Sequence, residues 1–169
     1  MTAWTVREAG CADIGAVTRL VNTAFAVEHF IYDGERISAE ECAGLLTTGR
    51  VLLVERDASQ VGCIYLELRD NSGYLGLLSV LPSHQSQGIG RSLVTTGENW
   101  FRSQGRRTSE LQIINLRTEL LEYYRRLGYR ESGTAPWPPG RRRFPGTVTS
   151  ICLCRIWLNL EYMAELRIY

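Results

Sequence analysis

The stretch Tyr74-Leu-Gly-Leu-Leu-Ser-Val-Leu-Pro82 runs straight into Ser83-His-Gln-Ser-Gln-Gly-Ile-Gly90 and then Arg91-Ser-Leu-Val-Thr-Thr-Gly-Glu-Asn-Trp-Phe-Arg102. A continuous apolar run closed by proline reads as a buried strand, and Leu93, Val94, Trp100 and Phe101 recur close to a helical period. The order is therefore strand, glycine loop, helix. Glycines at 88 and 90 remove side chains where a helix begins, so several unpaired backbone N–H groups can converge on an anion at the positive end of that helix. A pyrophosphate is the natural occupant.

Two familiar phosphate cradles do not fit these residues. A P-loop requires lysine after its second glycine, and the chain contains no lysine; a dinucleotide fingerprint needs a third glycine at position 93, which is leucine. The pattern Gln85-x-x-Gly88-x-Gly90, after a strand ending in Val-x-Pro, instead resembles motif A of the GCN5-related N-acetyltransferases, the GNAT superfamily that binds acetyl-coenzyme A. A second block follows in the family's order: Leu111-Gln-Ile-Ile-Asn-Leu-Arg117 and then a helix ending in Tyr124-Arg-Arg-Leu-Gly128-Tyr129. The resemblance spans roughly residues 4 to 133 on pattern grounds. It weakens after that: Thr134 to Gly146 resembles a long loop of one bacterial and fungal subgroup, but the subgroup's closing motif is absent and residues 159–169 form an unmatched extension.

At 169 residues, with 44% hydrophobic and 22% charged residues, the chain has the size and make-up of one globular domain, expected over 1–169. A net charge of +1 gives no general field toward nucleic acid or an anionic membrane. The one local exception, Arg141-Arg-Arg143 beside Trp137 and Phe144, offers a nucleic-acid contact, though nucleic acid is not the expected partner. No apolar run reaches the length of a membrane span, and the first residues lack the pattern of a signal peptide, so a cytoplasmic protein with no membrane partner is expected. The five cysteines, Cys11, Cys42, Cys63, Cys152 and Cys154, read as reduced thiols mostly in apolar surroundings, and no spacing suits a metal site.

In chain order, Trp4-Thr-Val-Arg7 predicts a first strand and Asp13 the start of a first helix. Glu28 to Gly34 reads as a loop, and Ser38-Ala-Glu-Glu41 as a capping box opening a second helix. Val51–Glu55 and Val61–Leu68 read as adjacent strands joined by Asp57-Ala-Ser-Gln60, with a turn at Asn71-Ser-Gly73 completing an antiparallel meander. Then come the motif-A helix, a strand at Ser109–Asn115, a helix near Thr118–Leu127, a strand from Tyr129 and a last strand within Ser150–Leu158. Strand, helix, strand implies a parallel neighbour. The fold class is thus α/β (α+β). The resemblance adds a GNAT-like single domain: a mixed, mostly antiparallel sheet of six to seven strands with a splayed parallel pair, flanked by about four helices.

The resemblance also implies chemistry. The splay would receive the pantetheine arm against backbone groups of Leu78, Ser79 and Val80, while Gln85, Ser86, Gln87, Gly88, Ile89, Gly90, Arg91 and Ser92 would hold the coenzyme phosphates. Asn115 is a further candidate for coenzyme contact, although the family's frequent asparagine falls nearer Arg117. Tyr124 matches the family's proton donor to the coenzyme A sulfur; a phenol with a reference pKa near 10 can protonate a departing thiolate. Tyr123 points about a third of a turn away. A backbone N–H, that of Val80, would polarise the thioester carbonyl.

The general base stays open. Many family members carry a glutamate on or beside the central strand, but Tyr74 to Leu81 holds no carboxylate or histidine. Glu67, Glu28, His29 and an ordered-water relay remain candidates. Arg117, Arg125 and Arg126 read as a solvated helix face. The expected function is transfer of an acetyl group from acetyl-CoA, as cosubstrate, to a primary amine of a small molecule, amino acid or peptide. Transfer would be direct, in a ternary complex, with no metal, in a monomer or homodimer. A non-catalytic coenzyme A-binding sensor is the alternative.

Overall fold

The computed structural model describes residues 3–136 and 148–157. The readings placed on Trp137, Arg141 to Arg143, Phe144 and the extension from 159 lie outside these residues. Among the described residues a seven-stranded sheet runs in the order β1-β2-β3-β4-β5-β7-β6. The strands are β1 (Thr5–Glu8), β2 (Arg50–Arg56), β3 (Ser59–Leu68), β4 (Ser72–Val80), β5 (Thr108–Ile114), β6 (Arg130–Pro136) and β7 (Thr149–Ile156). Four α-helices accompany them: α1 (Ile14–Ala24), α2 (Ala39–Thr48), α3 (Ile89–Ser103) and α4 (Thr118–Arg126).

Strand alternation sorts the side chains into two layers. Ile64 and Leu66 of β3 join a core with Ile89, Leu93 and Phe101 of α3 and Tyr124 of α4, whereas Cys63 and Tyr65 face Val17, Val21 and Cys42 of α1 and α2. Helix α3 lies close because Gly97 has no side chain: a Cβ there would come 2.6 Å from Leu66 Cδ2. Helix α2 starts where the capping box predicts. The Glu41 N–H donates to Ser38 Oγ at 3.1 Å, and the Ser38 N–H to Glu41 Oε2 at 2.7 Å.

Two local readings change and a third gains detail. The β2–β3 turn is tighter than the expected four residues, since Asp57 (φ 51°) and Ala58 (φ 58°) form a two-residue loop whose left-handed conformation matches the twist of the hairpin. The Glu28–Gly34 segment is a loop, as expected, but it is entered by a 3-10 turn over Phe25–Glu28, and its Ile31 and Tyr32 are buried against Ile114 and Val148. Strands β4 and β5 are parallel neighbours, but β5 and β6 are not, because β7 pairs antiparallel with both and separates them. No local pattern announces that a later strand will insert between two earlier ones.

The feature that makes room for a site is the β4–β5 boundary. Their ladder runs from Ser72↔Thr108 to Leu75↔Leu111 and stops. On its other edge β4 carries a bulge: Cys63 pairs with Ser79 but Tyr65 with Gly76, so Leu77 and Leu78 both stand opposite Ile64. Leu77 takes φ 48° there. A bulge bends the strand that carries it, and β4 leaves β5 beyond Leu75.

Candidate active site

The gap between the parted strands opens into a cleft of about 1150 Å³. At one end it is lined by Ser86, Gly88, Ile89, Gly90 and Arg91, in the middle by Leu78, Val80, Tyr123 and Tyr124, and at the other end by Glu28, Arg36, Tyr65, Glu67, Tyr74 and Arg117.

The first end is built by backbone. Ser86 (φ 61°) and Gly88 (φ 88°) are both left-handed, which turns the chain sharply into α3. The Ser92 N–H is the first to bond backward, onto Gly88 O at 2.9 Å, so the amides of Ile89, Gly90 and Arg91 ahead of it have no helical partner. No side chain caps them. A Cβ on Gly90 would stand 3.2 Å from Tyr123 Oη and 3.8 Å from Val80 Cγ2, so the missing side chain keeps this passage open. Free amides, the positive end of a 15-residue helix and the exposed Arg91 form an anion cradle that fits a diphosphate.

Gln85 and Gln87 act as braces. Gln85 Nε2 donates to Val80 O at 3.1 Å, tying the loop to the end of β4. Gln87 receives Arg56 Nη1 at 2.6 Å and donates to Ser83 O, and its side chain does not line the cleft. Of the other predicted coenzyme contacts, Ser92 also lies outside the lining. Ser79 is 1% exposed and donates its hydroxyl to Leu77 O at 2.9 Å, so its side chain faces away. Asn115 is placed elsewhere as well: its Oδ1 accepts from the Thr149 N–H at 3.1 Å and its own N–H donates to Thr149 O, pinning the end of β5 to the start of β7. Val80, by contrast, is well aimed. The Leu81 N–H bonds Val61 O on the β3 side, and strand alternation turns the Val80 N–H toward the gap.

Tyr124 is 7% exposed and lines the cleft. Its ring packs edge-on against Tyr123 at 5.1 Å and Tyr129 at 5.7 Å. Burial, with the nearby phenols of Tyr123 and Tyr74, pushes its hydroxyl well above the ordinary tyrosine range, so at neutral pH it carries its proton. Among the described residues that hydroxyl makes no hydrogen bond.

The carboxylates at the far end differ. Glu67 has both oxygens engaged: Oε2 receives the Tyr65 hydroxyl at 3.0 Å, and Oε1 receives Arg69 Nε at 3.0 Å. Glu28 is 3% exposed and meets Arg117 Nη1 through Oε1 at 2.9 Å. Its burial outweighs the attraction of Arg117 and Arg36 and raises its carboxyl above the usual range. His29 is exposed, stacked edge-on to Tyr32 and absent from the cleft wall. Arg117 corrects the solvated-face reading: it occupies the N-cap position of α4, holds Glu28 and lines the cleft. No local signal in the sequence joins two residues 89 positions apart.

A family model for the acetyltransferase (GNAT) domain matches residues 47–131, just over half of the chain, and the chain belongs to that family. No curated protein matches it in sequence. Solved structures share the fold: Ard1 from Thermoplasma volcanium has a TM-score of 0.76 at 18% identity, over 93% of this chain and 99% of that one. The ribosomal-protein-S18-alanine N-acetyltransferase from Escherichia coli gives 0.75 at 16%, over 99% of both. The PaiA N-acetyltransferase from Thermoplasma acidophilum, in complex with coenzyme A, gives 0.75 at 15%, over 92% of this chain and 99% of that one. Among the described residues there is no cluster of metal-ligating side chains and no helix long and apolar enough to cross a membrane.

Proposed function

We propose that the protein transfers an acetyl group from acetyl-CoA to a primary amine, directly and within a ternary complex. The observation that carries this reading is the parting of β4 from β5 after Leu75, which opens one cleft running from the amides of Ile89, Gly90 and Arg91 past the Tyr124 phenol to a polar end. A coenzyme diphosphate suits the first, a pantetheine arm the gap, and an acceptor the third. The PaiA N-acetyltransferase, which shares this fold, is solved in complex with coenzyme A, which supports a coenzyme ligand here.

The chemistry follows from these groups. The acceptor ammonium gives up one proton, and its freed lone pair forms a C–N bond to the thioester carbonyl, whose oxygen takes the Val80 N–H. The C–S bond then breaks; the thiolate takes the Tyr124 proton, and the nitrogen of the new amide returns a proton to the phenolate. The products are an acetamide, a free thiol and one proton.

The test is thiol release from acetyl-CoA across a panel of small amines, amino acids and peptides. Tyr124→Phe is expected to lower kcat by about one to three orders of magnitude while coenzyme binding stays intact. Unchanged turnover removes Tyr124 from the mechanism. Coenzyme binding with no thiol release from the unmodified protein on any amine establishes the non-catalytic sensor instead.

A further inference from the structure

Only two acidic side chains are buried among the described residues, Glu28 and Glu98, and they are treated in opposite ways. Glu98 is sealed: Oε1 receives the Tyr129 hydroxyl at 2.8 Å and Arg155 Nη1 at 3.1 Å, and Oε2 receives Arg155 Nη1 at 2.9 Å, with Arg102 beyond. Glu28 has one oxygen on Arg117, while its Oε2 accepts no hydrogen bond among the described residues, although the residue forms part of the cleft wall. Oε2 is not one of the buried atoms that lack a partner, so it opens to the cleft: a carboxylate anchored through one oxygen presents the other to whatever donor enters with a ligand.

Resting on the acetyl-transfer reading, we propose that Glu28 binds the acceptor's ammonium through Oε2 and takes its proton, and that Arg117 is the positioning residue that fixes Glu28 for this. The step balances: an N–H bond of the ammonium breaks, an O–H bond forms on Glu28, and the lone pair left on nitrogen is the nucleophile. After transfer Glu28 returns the proton to water in the cleft. The competing carboxylate, Glu67, has no oxygen to spare, and Glu119, also on the wall, is mostly exposed and tied to Arg117. The groups that face Glu28 are Arg36 and Tyr32 from its own segment and Arg117 and Glu119 from α4. The two guanidiniums beside it favour the charged form, and its burial makes that carboxylate a stronger proton acceptor than a solvated one. The fixed cations also select against acceptors carrying a second positive charge near the amine.

The experiment compares Glu28→Gln and Glu28→Asp with the unmodified protein for coenzyme A affinity by calorimetry, for kcat and KM toward the amine giving the fastest thiol release, and for the pH profile of kcat/KM. Glu28→Gln is expected to keep coenzyme affinity within about twofold, to lose kcat/KM by about 100-fold or more, and to lose the acid limb of the profile. Glu28→Asp should recover part of the rate. Should Glu28→Gln not fold, Arg117→Lys, which keeps a cation but not the planar fork, is expected to raise KM for the amine and leave coenzyme affinity alone. A Glu28→Gln enzyme within threefold of the unmodified one, with its acid limb in place, overturns the proposal. If the unmodified protein binds acetyl-CoA yet releases no thiol, acetyl transfer itself fails; titrating ethanolamine into the coenzyme A-loaded protein then reads the site alone. Heat lost in Glu28→Gln supports amine binding there, and equal or absent heat in both proteins overturns it.

Discussion

Gly88 holds φ 88°, a conformation that costs an L-residue about 1–2 kcal/mol. A Cβ there would meet nothing within 4 Å, so a substitution would act through backbone strain alone. Gly88→Ala is therefore expected to weaken coenzyme A binding about tenfold as the loop relaxes and the amides of Ile89 to Arg91 turn aside. Gly88→Asn, whose side chain tolerates the left-handed region, should lose less. Calorimetric Kd values in the two variants check this, and equal losses would point to a requirement other than φ. The glycine was legible because its type reports its backbone. Leu77 and Ser86 take left-handed conformations too, at φ 48° and 61°, yet neither residue type signals it. Their dihedrals are imposed by the bulge and the loop, which is why the bend that opens the cleft could be expected only from the family resemblance.

At the level of elements, α3, β5 and β7 are knit by one buried network. Tyr129 is 1% exposed; its Oη donates to Glu98 Oε1 and lies 2.7 Å from Ser109 Oγ, and the same tyrosine supports the ring of Tyr124. Removing its hydroxyl leaves two buried polar groups short of a partner. Tyr129→Phe should thus destabilise the fold by about 1–3 kcal/mol in a denaturant titration, while the retained ring keeps Tyr124 in place and kcat near its original value. A large loss of kcat with little loss of stability would instead make the network part of the proton-transfer machinery. Individual elements were readable wherever local periodicity or capping decides them, as at α2 and the meander. Partnerships across the chain were not: β7 between β5 and β6, Asn115 on Thr149 and Arg117 on Glu28 each depend on residues tens of positions apart, and composition at either end is silent about the other.

For the molecule as a whole, carboxylates shifted in opposite directions set opposing slopes of stability with pH: Asp13, Glu55 and Glu119 are lowered and Glu28 is raised, and Asp13 and Glu28 serve as the test of each. Arg7, hydrogen-bonded to both oxygens of Asp13 at 2.8 Å, holds that carboxyl down at about 2 from an ordinary value of 3.8. Between these values the native state binds fewer protons than the unfolded chain, so Asp13 contributes stability above about pH 4 that is lost as pH falls toward 2. Glu28 is raised, chiefly by burial, so the native state keeps its proton longer and stability declines as pH rises through and above the usual carboxylate range. Tm against pH should therefore climb on leaving pH 2 and then droop. Asp13→Asn is expected to flatten the climb and Glu28→Gln to remove the droop. An acceptor ammonium seated on Glu28 Oε2 would stabilise the ionised form, so a bound amine should also lift the droop in the unmodified protein and leave Glu28→Gln unmoved. A climb unchanged in Asp13→Asn would show that the Arg7 pair does not govern acid stability, and an amine effect of equal size in both proteins would detach the ligand from Glu28.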